Sequence, residues 1–323
     1  MRRREFITFL GGAAAAWPLA ARAQQGERMR RIGVLTGFAE DDATGQKVVA
    51  AFRQRLAELG WVEGRNVRIE ARWAAAGDSG LMRTRAVELV AFAPELILVH
   101  GIRALDAVHK EMRGVPIVFA AIPDPVGSGI IASLAHPGGT VTGFVAFDGL
   151  IVGKLASLLK EIAPNITRVG WILSADFDPF KAAADTLGLR AVIIPIRDRA
   201  AIEPAVDLFA REPNGALLAS SDQTIVTFRT PIIAAAARHR LPAIYGRREF
   251  VTEGRLMSYG VDLAENYRSA AGYADRVLRG EKVGDLPVQQ PTKFELVINL
   301  KTAKALNFTI PRTILTLADE VIE

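Results

Sequence analysis

The chain has 323 residues and a formal net charge of +5, from 40 basic against 35 acidic side chains, and half of its residues are apolar. It holds no cysteine, which excludes disulfides, thiolate metal sites, cysteine nucleophiles and the lipid-modified cysteine that anchors many exported bacterial proteins. Four of the arginines and one glutamate fall in the first 23 residues, so the remainder carries 36 basic against 34 acidic side chains, near +2, and no basic face for nucleic acid is predicted.

Residues 1–23 read as an address label. Arg2, Arg3 and Arg4 form a basic head, and Phe6 to Ala21 is apolar but interrupted by Gly11, Gly12 and Pro18. That run is short of the roughly 20 predominantly apolar residues of a spanning helix. Ala21-Arg22-Ala23 supplies a small-x-small cleavage site. The order Arg3-Arg4-Glu5-Phe6-Ile7 resembles the twin-arginine export signal. The expectation is cleavage after Ala23 and a soluble protein in the periplasm. The roughly 300 residues left are long for one core and suit two domains.

Short β-branched runs then alternate with helical stretches. Arg31–Thr36 is predicted as a buried strand, Val48–Leu59 as part of a helix ending at Gly60, and Asn66–Trp73 as the second strand. A helix over Leu81–Phe92 leads to a strand over Pro94–His100, and a helix near Ala104–Met112 to a strand over Val115–Ala120. Strands separated by helices of this length imply right-handed βαβ units and a parallel sheet. The pattern returns 120 to 137 positions later, as Arg168–Ser174, Arg190–Ile196, Pro213–Ser220 and Leu241–Tyr245. Such uneven offsets exclude a solenoid and predict an α/β protein of two doubly wound parallel-sheet lobes. The glycine-rich passage Pro137–Gly143 reads as a crossing between them.

Two such lobes enclose a cleft at the carboxyl ends of their strands, where open α/β sheets bind ligands. The candidate ligand-binding residues are Thr36, Gly37, Trp73, His100, Gly101, Arg103 and Asp124 from the first lobe. Ser174, Ser220, Ser221, Asp222 and Tyr245 are those from the second. Ser220 or Ser221 reads equally as a cap for a helix beginning near Thr224, and His100 equally as a structural histidine. The aromatic residues Trp73, Phe119, Phe147, Trp171, Phe177 and Tyr245 fall at or near strand ends, where a cluster would make an apolar slot for a flat ligand.

Catalytic signatures are scarce. His100, His109, His136 and His239 show no metal-ligand spacing. Gly127-Ser128-Gly129-Ile130-Ile131-Ala132 follows Asp124-Pro125 instead of opening the first βα unit, so it is no dinucleotide fingerprint. Neither a phosphate loop nor a nucleophile elbow occurs. No enzyme activity, metal or cofactor is expected.

Several stretches carry a family resemblance: Arg3–Gln24, Ala51-Phe52-Arg53-Gln54, Pro137–Gly143, Pro242–Tyr245 followed by Arg248-Glu249-Phe250-Val251, and above all Leu286–Lys304. In these the chain resembles the bacterial ABC-transporter periplasmic substrate-binding proteins of tryptophan/tyrosine type. The resemblance implies a type I periplasmic-binding fold with crossings near Gly143, Gly260 and Pro291. Residues 28–143 and 261–290 would then form the first lobe, and residues 144–260 and 292–323 the second. It implies capture of a small solute by hinge closure and delivery to a membrane permease by a monomer, with no nucleic-acid partner. Related proteins carry a hydroxyl-bearing sequence after the third strand, where this chain has His100-Gly101-Ile102-Arg103. Arg103, which reads equally as a solvated helix residue, or loop amides would hold a carboxylate and Asp222 an α-ammonium, and the aromatic residues and helix termini around the cleft make an aromatic amino acid or small aromatic carboxylate the expected solute. Branched-chain amino acids, amides and purine-like compounds stay open. So do a sensor for a membrane receptor and, from another class, an exported hydrolase or oxidoreductase.

Overall fold

A computed structural model describes residues 29–75, 78–146, 149–174 and 179–323; the expected export signal therefore lies outside the described residues. The chain begins with β1 (Arg30–Thr36), α1 (Ala43–Glu58), β2 (Val67–Trp73), α2 (Ser79–Phe92), β3 (Leu96–His100), α3 (Ile102–Glu111), β4 (Ile117–Ile122) and β5 (Val141–Val145). It continues through α4 (Gly149–Ile162), β6 (Arg168–Leu173), α5 (Pro179–Thr186), β7 (Arg190–Pro195), α6 (Ile202–Ala210) and β8 (Gly215–Ala219). Then come α7 (Gln223–Thr227), α8 (Arg229–Arg238), β9 (Ala243–Tyr245), α9 (Arg248–Thr252) and β10 (Met257–Val261). The remaining elements are α10 (Leu263–Leu278), β11 (Phe294–Asn299), α11 (Leu300–Ala305), α12 (Arg312–Leu317) and β12 (Glu320–Ile322).

These strands form two sheets, in the orders β2-β1-β3-β4-β5 and β12-β11-β10-β9-β8-β6-β7. Both sheets are covered on each face, so inner strands such as β3 and β8 are apolar or nearly so throughout, whereas the edge strands β2 and β7 carry exposed residues. In the first sheet Ile32, Val34, Leu96 and Leu98 face one core, with Tyr267 and Ala270 of α10, while Leu35, Ile97 and Val99 face another under α2 and α3. In the second sheet Val169, Trp171 and Leu218 pack under α4, whereas Ile172, Leu217 and Tyr245 pack under α6 and α8. Aspartates set the helix starts: Asp42 accepts from Gly45 N at 2.9 Å, and Asp78 from Leu81 N at 2.8 Å.

Two features depart from the sequence expectation. The glycine-rich crossing contains a strand, β5, whose residues are all buried and which pairs in parallel with β4. And one pair in the second sheet, β10 with β11, is antiparallel. Between those two strands α10 packs against the first sheet, so the chain re-enters the second sheet at the end it left and must run back along β10. The returning segment lies beside β5, where Gln289 N donates to Gly143 O at 3.0 Å and Val145 N to Gln289 O at 3.0 Å.

Candidate functional site

The carboxyl ends of β3 and β4 in one sheet and of β6 and β8 in the other converge on a cavity of about 310 Å³. Its first-lobe wall includes Gly37, Met82, His100, Gly101, Arg103 and Asp124, and its second-lobe wall Trp171, Leu173, Ser174, Ser220, Asp222 and Gln223. The lining is mainly apolar with a few polar groups, the usual make-up of a small-molecule site. A second inter-lobe cavity of about 370 Å³ sits beside the crossings, lined by Thr44, Lys47, Arg247, Glu249 and Asp262 among others. Its Arg247 and Glu249 are already paired with each other, and Asp262 with Lys293.

His100 ends β3 with its ring packed between Phe38 and Tyr267, at centroid distances of 4.6 and 5.8 Å. Its Nε2 lies 3.2 Å from Oε1 of Gln223, an acceptor, which places the ring proton on Nε2 and ties the two lobes together. Nδ1 is buried without a hydrogen-bond partner among the described residues. Loss of water, with the nearby Arg247 guanidinium adding repulsion, pushes the imidazole down from 6.5 to about 3, so the ring is neutral at pH 7. Gly101 follows at φ +85°, in the left-handed region, and a side chain there would approach Gln223 Cβ to 3.9 Å. That turn brings Arg103, in the first turn of α3, to the cavity. Arg103 donates to Ser79 Oγ at 2.8 Å and has no carboxylate partner among the described residues.

On the opposite wall Asp222 caps α7, its Oδ1 accepting from Ile225 N at 3.0 Å and from Ser174 Oγ at 2.9 Å. Its Oδ2 accepts from Ser220 Oγ and, at 3.4 Å, from Ser174 N. The carboxylate is thus committed to four protein donors. A direct contact with an α-ammonium, expected from the sequence, would have to displace one of them.

Gly37, His100, Gly101, Arg103, Asp124, Ser174, Ser220 and Asp222 therefore line the cavity, whereas Thr36, Trp73, Ser221 and Tyr245 do not. Thr36 is fully buried and accepts from Phe38 N at 3.2 Å, an ST-turn at the end of β1. Trp73 ends β2 outside β1 and packs against α1, where a Cβ on Gly45 would meet its ring at 3.1 Å. Ser221 lies one residue after Ser220 on an extended segment, so its side chain faces away, toward Gly246. Tyr245 is in the core, stacked on Phe250 at 4.5 Å, and burial pushes its phenol above the ordinary range. Phe119 is fully buried as well, so of the aromatic set Trp171 reaches the cavity, while Phe147 and Phe177 lie outside the described residues.

Sequence reasoning missed Gln223, Met82 and Leu173, and the segment Ala121–Pro123. Ala121 sits at φ +58° where the β4–β5 register shifts, which turns the following residues into the cavity. Gln223 had a legible signal, since it directly follows Asp222 at the predicted helix start.

The sequence family described as "ABC transporter substrate binding protein" matches residues 31–322. A tyrosine-binding protein of Clostridioides difficile (strain R20291) is 26% identical over 268 residues, 81% of this chain and 76% of that protein. The crystal structure of a Streptococcus pneumoniae ABC domain in complex with L-Trp superposes with a TM-score of 0.83 at 26% identity, covering 91% of this chain and 100% of that one. A conserved domain protein from Vibrio cholerae shares the fold, with a TM-score of 0.83 at 24% identity over 91% of this chain and 100% of its own. With its two parallel-sheet lobes of the type I periplasmic-binding fold, the chain belongs to the ABC transporter substrate-binding proteins.

Proposed function

We propose that this protein is exported to the periplasm and captures a single aromatic or amino-acid-like solute in the cavity between its lobes, for delivery to a membrane permease. The observation that carries this reading is the cavity itself: about 310 Å³, mainly apolar, and walled from both lobes at the ends of β3, β4, β6 and β8. Relatives that bind tyrosine or hold L-Trp supply the solute class. Gly37, His100, Gly101, Arg103, Asp124, Ser174, Ser220 and Asp222 are the residues assigned to the site. Capture proceeds by closure of the lobes about their crossings, the closed form of a monomer being what the permease reads. The solute leaves chemically unchanged.

A thermal-shift screen of amino acids and aromatic acids tests the reading. A true ligand at 100 times its Kd should add about 2.7 kcal/mol of stability. Stabilisation by sugars or metal ions with none from aromatic amino acids would overturn it. Export by the twin-arginine route is tested separately: lysine at Arg3 and Arg4 should hold the protein in the cytoplasm, and normal periplasmic accumulation would refute that route.

A further inference from the structure

Resting on that reading, we propose that Phe38 is a specificity-determining partition, which divides the space between the lobes in two and limits the protein to solutes the size of one amino acid, excluding dipeptides. Both inter-lobe cavities are walled from both lobes, yet they share no lining residue. His100 lines the first and Arg247 the second. Phe38 lines neither and packs against both walls, its ring 4.6 Å from the imidazole and 5.8 Å from the guanidinium carbon. On the second lobe the division is made by backbone. Ser220 and Asp222 line the first cavity and Gly246 the second, and a Cβ on Gly246 would lie 2.8 Å from Ser221 N.

Phe38 is held too firmly to step aside for a solute. It is 1% exposed, and its N–H donates to Thr36 Oγ1 at 3.2 Å. Its side chain lies against α1 at Gly45, where a Cβ would meet Phe38 Cβ at 2.7 Å. On the other side Glu249, bonded also to the Thr44 side chain at the start of α1, keeps the Arg247 guanidinium over the ring, where a cation is attracted. The first cavity, at about 310 Å³, is at the lower end of the roughly 300–1,000 Å³ of small-molecule pockets. The second, about 370 Å³, carries more charged side chains, and its Lys47 makes no ion pair among the described residues. A peptide unit with a terminal carboxylate suits those surroundings. With Phe38 in place, a dipeptide seated in the first cavity meets the partition before it reaches them.

Calorimetry with L-tryptophan, L-tryptophylglycine and glycyl-L-tryptophan tests the partition. The parent should bind both dipeptides at least about thirtyfold more weakly than L-tryptophan, because extra atoms are forced against a fixed wall. Phe38→Ala joins the cavities, and at least one dipeptide should then bind within about fivefold of L-tryptophan. Phe38→Leu keeps the position apolar and should shift the ratio in the same direction by a smaller factor, which covers the case of an alanine variant that does not fold. Binding of either dipeptide by the parent as tightly as L-tryptophan would overturn the partition while leaving the solute class standing. So would ratios unchanged in the folded variants. Failure of the parent to bind L-tryptophan would instead remove the solute class. The partition would then be judged from crystal structures of the two variants, where cavities joined at position 38 would uphold it and cavities still separate would overturn it.

Discussion

His100 gives up nearly all of its water on folding and keeps one hydrogen bond, to Gln223 across the cleft. An imidazole held at about 3 in the folded protein and near 6.5 when unfolded binds its proton first in the unfolded chain. Between those values the unfolded state carries the extra proton, so stability falls as pH drops from 6.5 toward 3, by up to about 1.4 kcal/mol per pH unit. His100→Gln keeps a polar side chain and removes this titration. The loss of unfolding free energy between pH 7 and pH 4.5, measured in urea, should shrink in that variant by about 2 kcal/mol. An identical pH profile in parent and variant would show that His100 is not held neutral. Part of the acid sensitivity should survive in both. Burial alone would raise the Glu249 carboxyl, but Arg247, which bonds it and lies 5.8 Å over the Phe38 ring, holds it below the usual carboxylate range. That contribution is present above the ordinary carboxylate pKa and is lost only as pH falls through the depressed one.

At the scale of elements, the crossings depend on backbones that touch. A Cβ on Gly260, in β10, would lie 2.0 Å from Gly246 O, and one on Gly143, in β5, 2.2 Å from Phe119 O. Neither neighbour is a flexible side chain that can step aside. Gly260→Ala should therefore cost about 1–3 kcal/mol in urea unfolding, whereas Gly272→Ala on α10, with nothing within 4 Å, should be neutral or slightly stabilising. Equal stability of the two variants would mean that the strand contact is looser than drawn. The same glycines explain what the sequence conceals. β1, β3, β6 and β8 are legible because a strand buried on both faces is an unbroken apolar run. β5 has the sequence Val-Thr-Gly-Phe-Val after two glycines, and its Gly143 reads as a breaker because the close approach to Phe119 is long-range. The site follows the same division. Topology places the ends of β3 and β8 opposite each other, so His100, Arg103, Ser220 and Asp222 could be named from strand order alone. Which way each side chain faces depends on one-residue alternation and on packing partners distant in sequence, so Ser221, Trp73 and Tyr245 could not be sorted from Ser220 and Trp171.

For the molecule as a whole, the His100–Gln223 bond joins residues 123 apart in the chain, one at the end of β3 and the other at the start of α7. It uses neutral groups, so its strength does not depend on salt. A protein that closes on its solute binds with an apparent Kd equal to the intrinsic Kd divided by the fraction of molecules already in the competent form. If capture proceeds by the lobe closure proposed above, a cross-cleft tie of this kind raises the closed fraction in advance and so tightens capture. Gln223→Ala removes the tie and leaves the Asp222 cap in place. The variant without ligand should scatter X-rays with a larger radius of gyration than the parent, and saturating L-tryptophan should bring the two back together, since ligand binding can restore what the tie supplied. The ligand-free comparison is the decisive one, because it does not depend on any contact Gln223 makes with solute. A radius of gyration in the ligand-free variant equal to the parent's would assign closure to the packing around Phe38 and the Arg247–Glu249 pair beside the crossings, and would leave the His100–Gln223 bond as a local contact of the cavity wall.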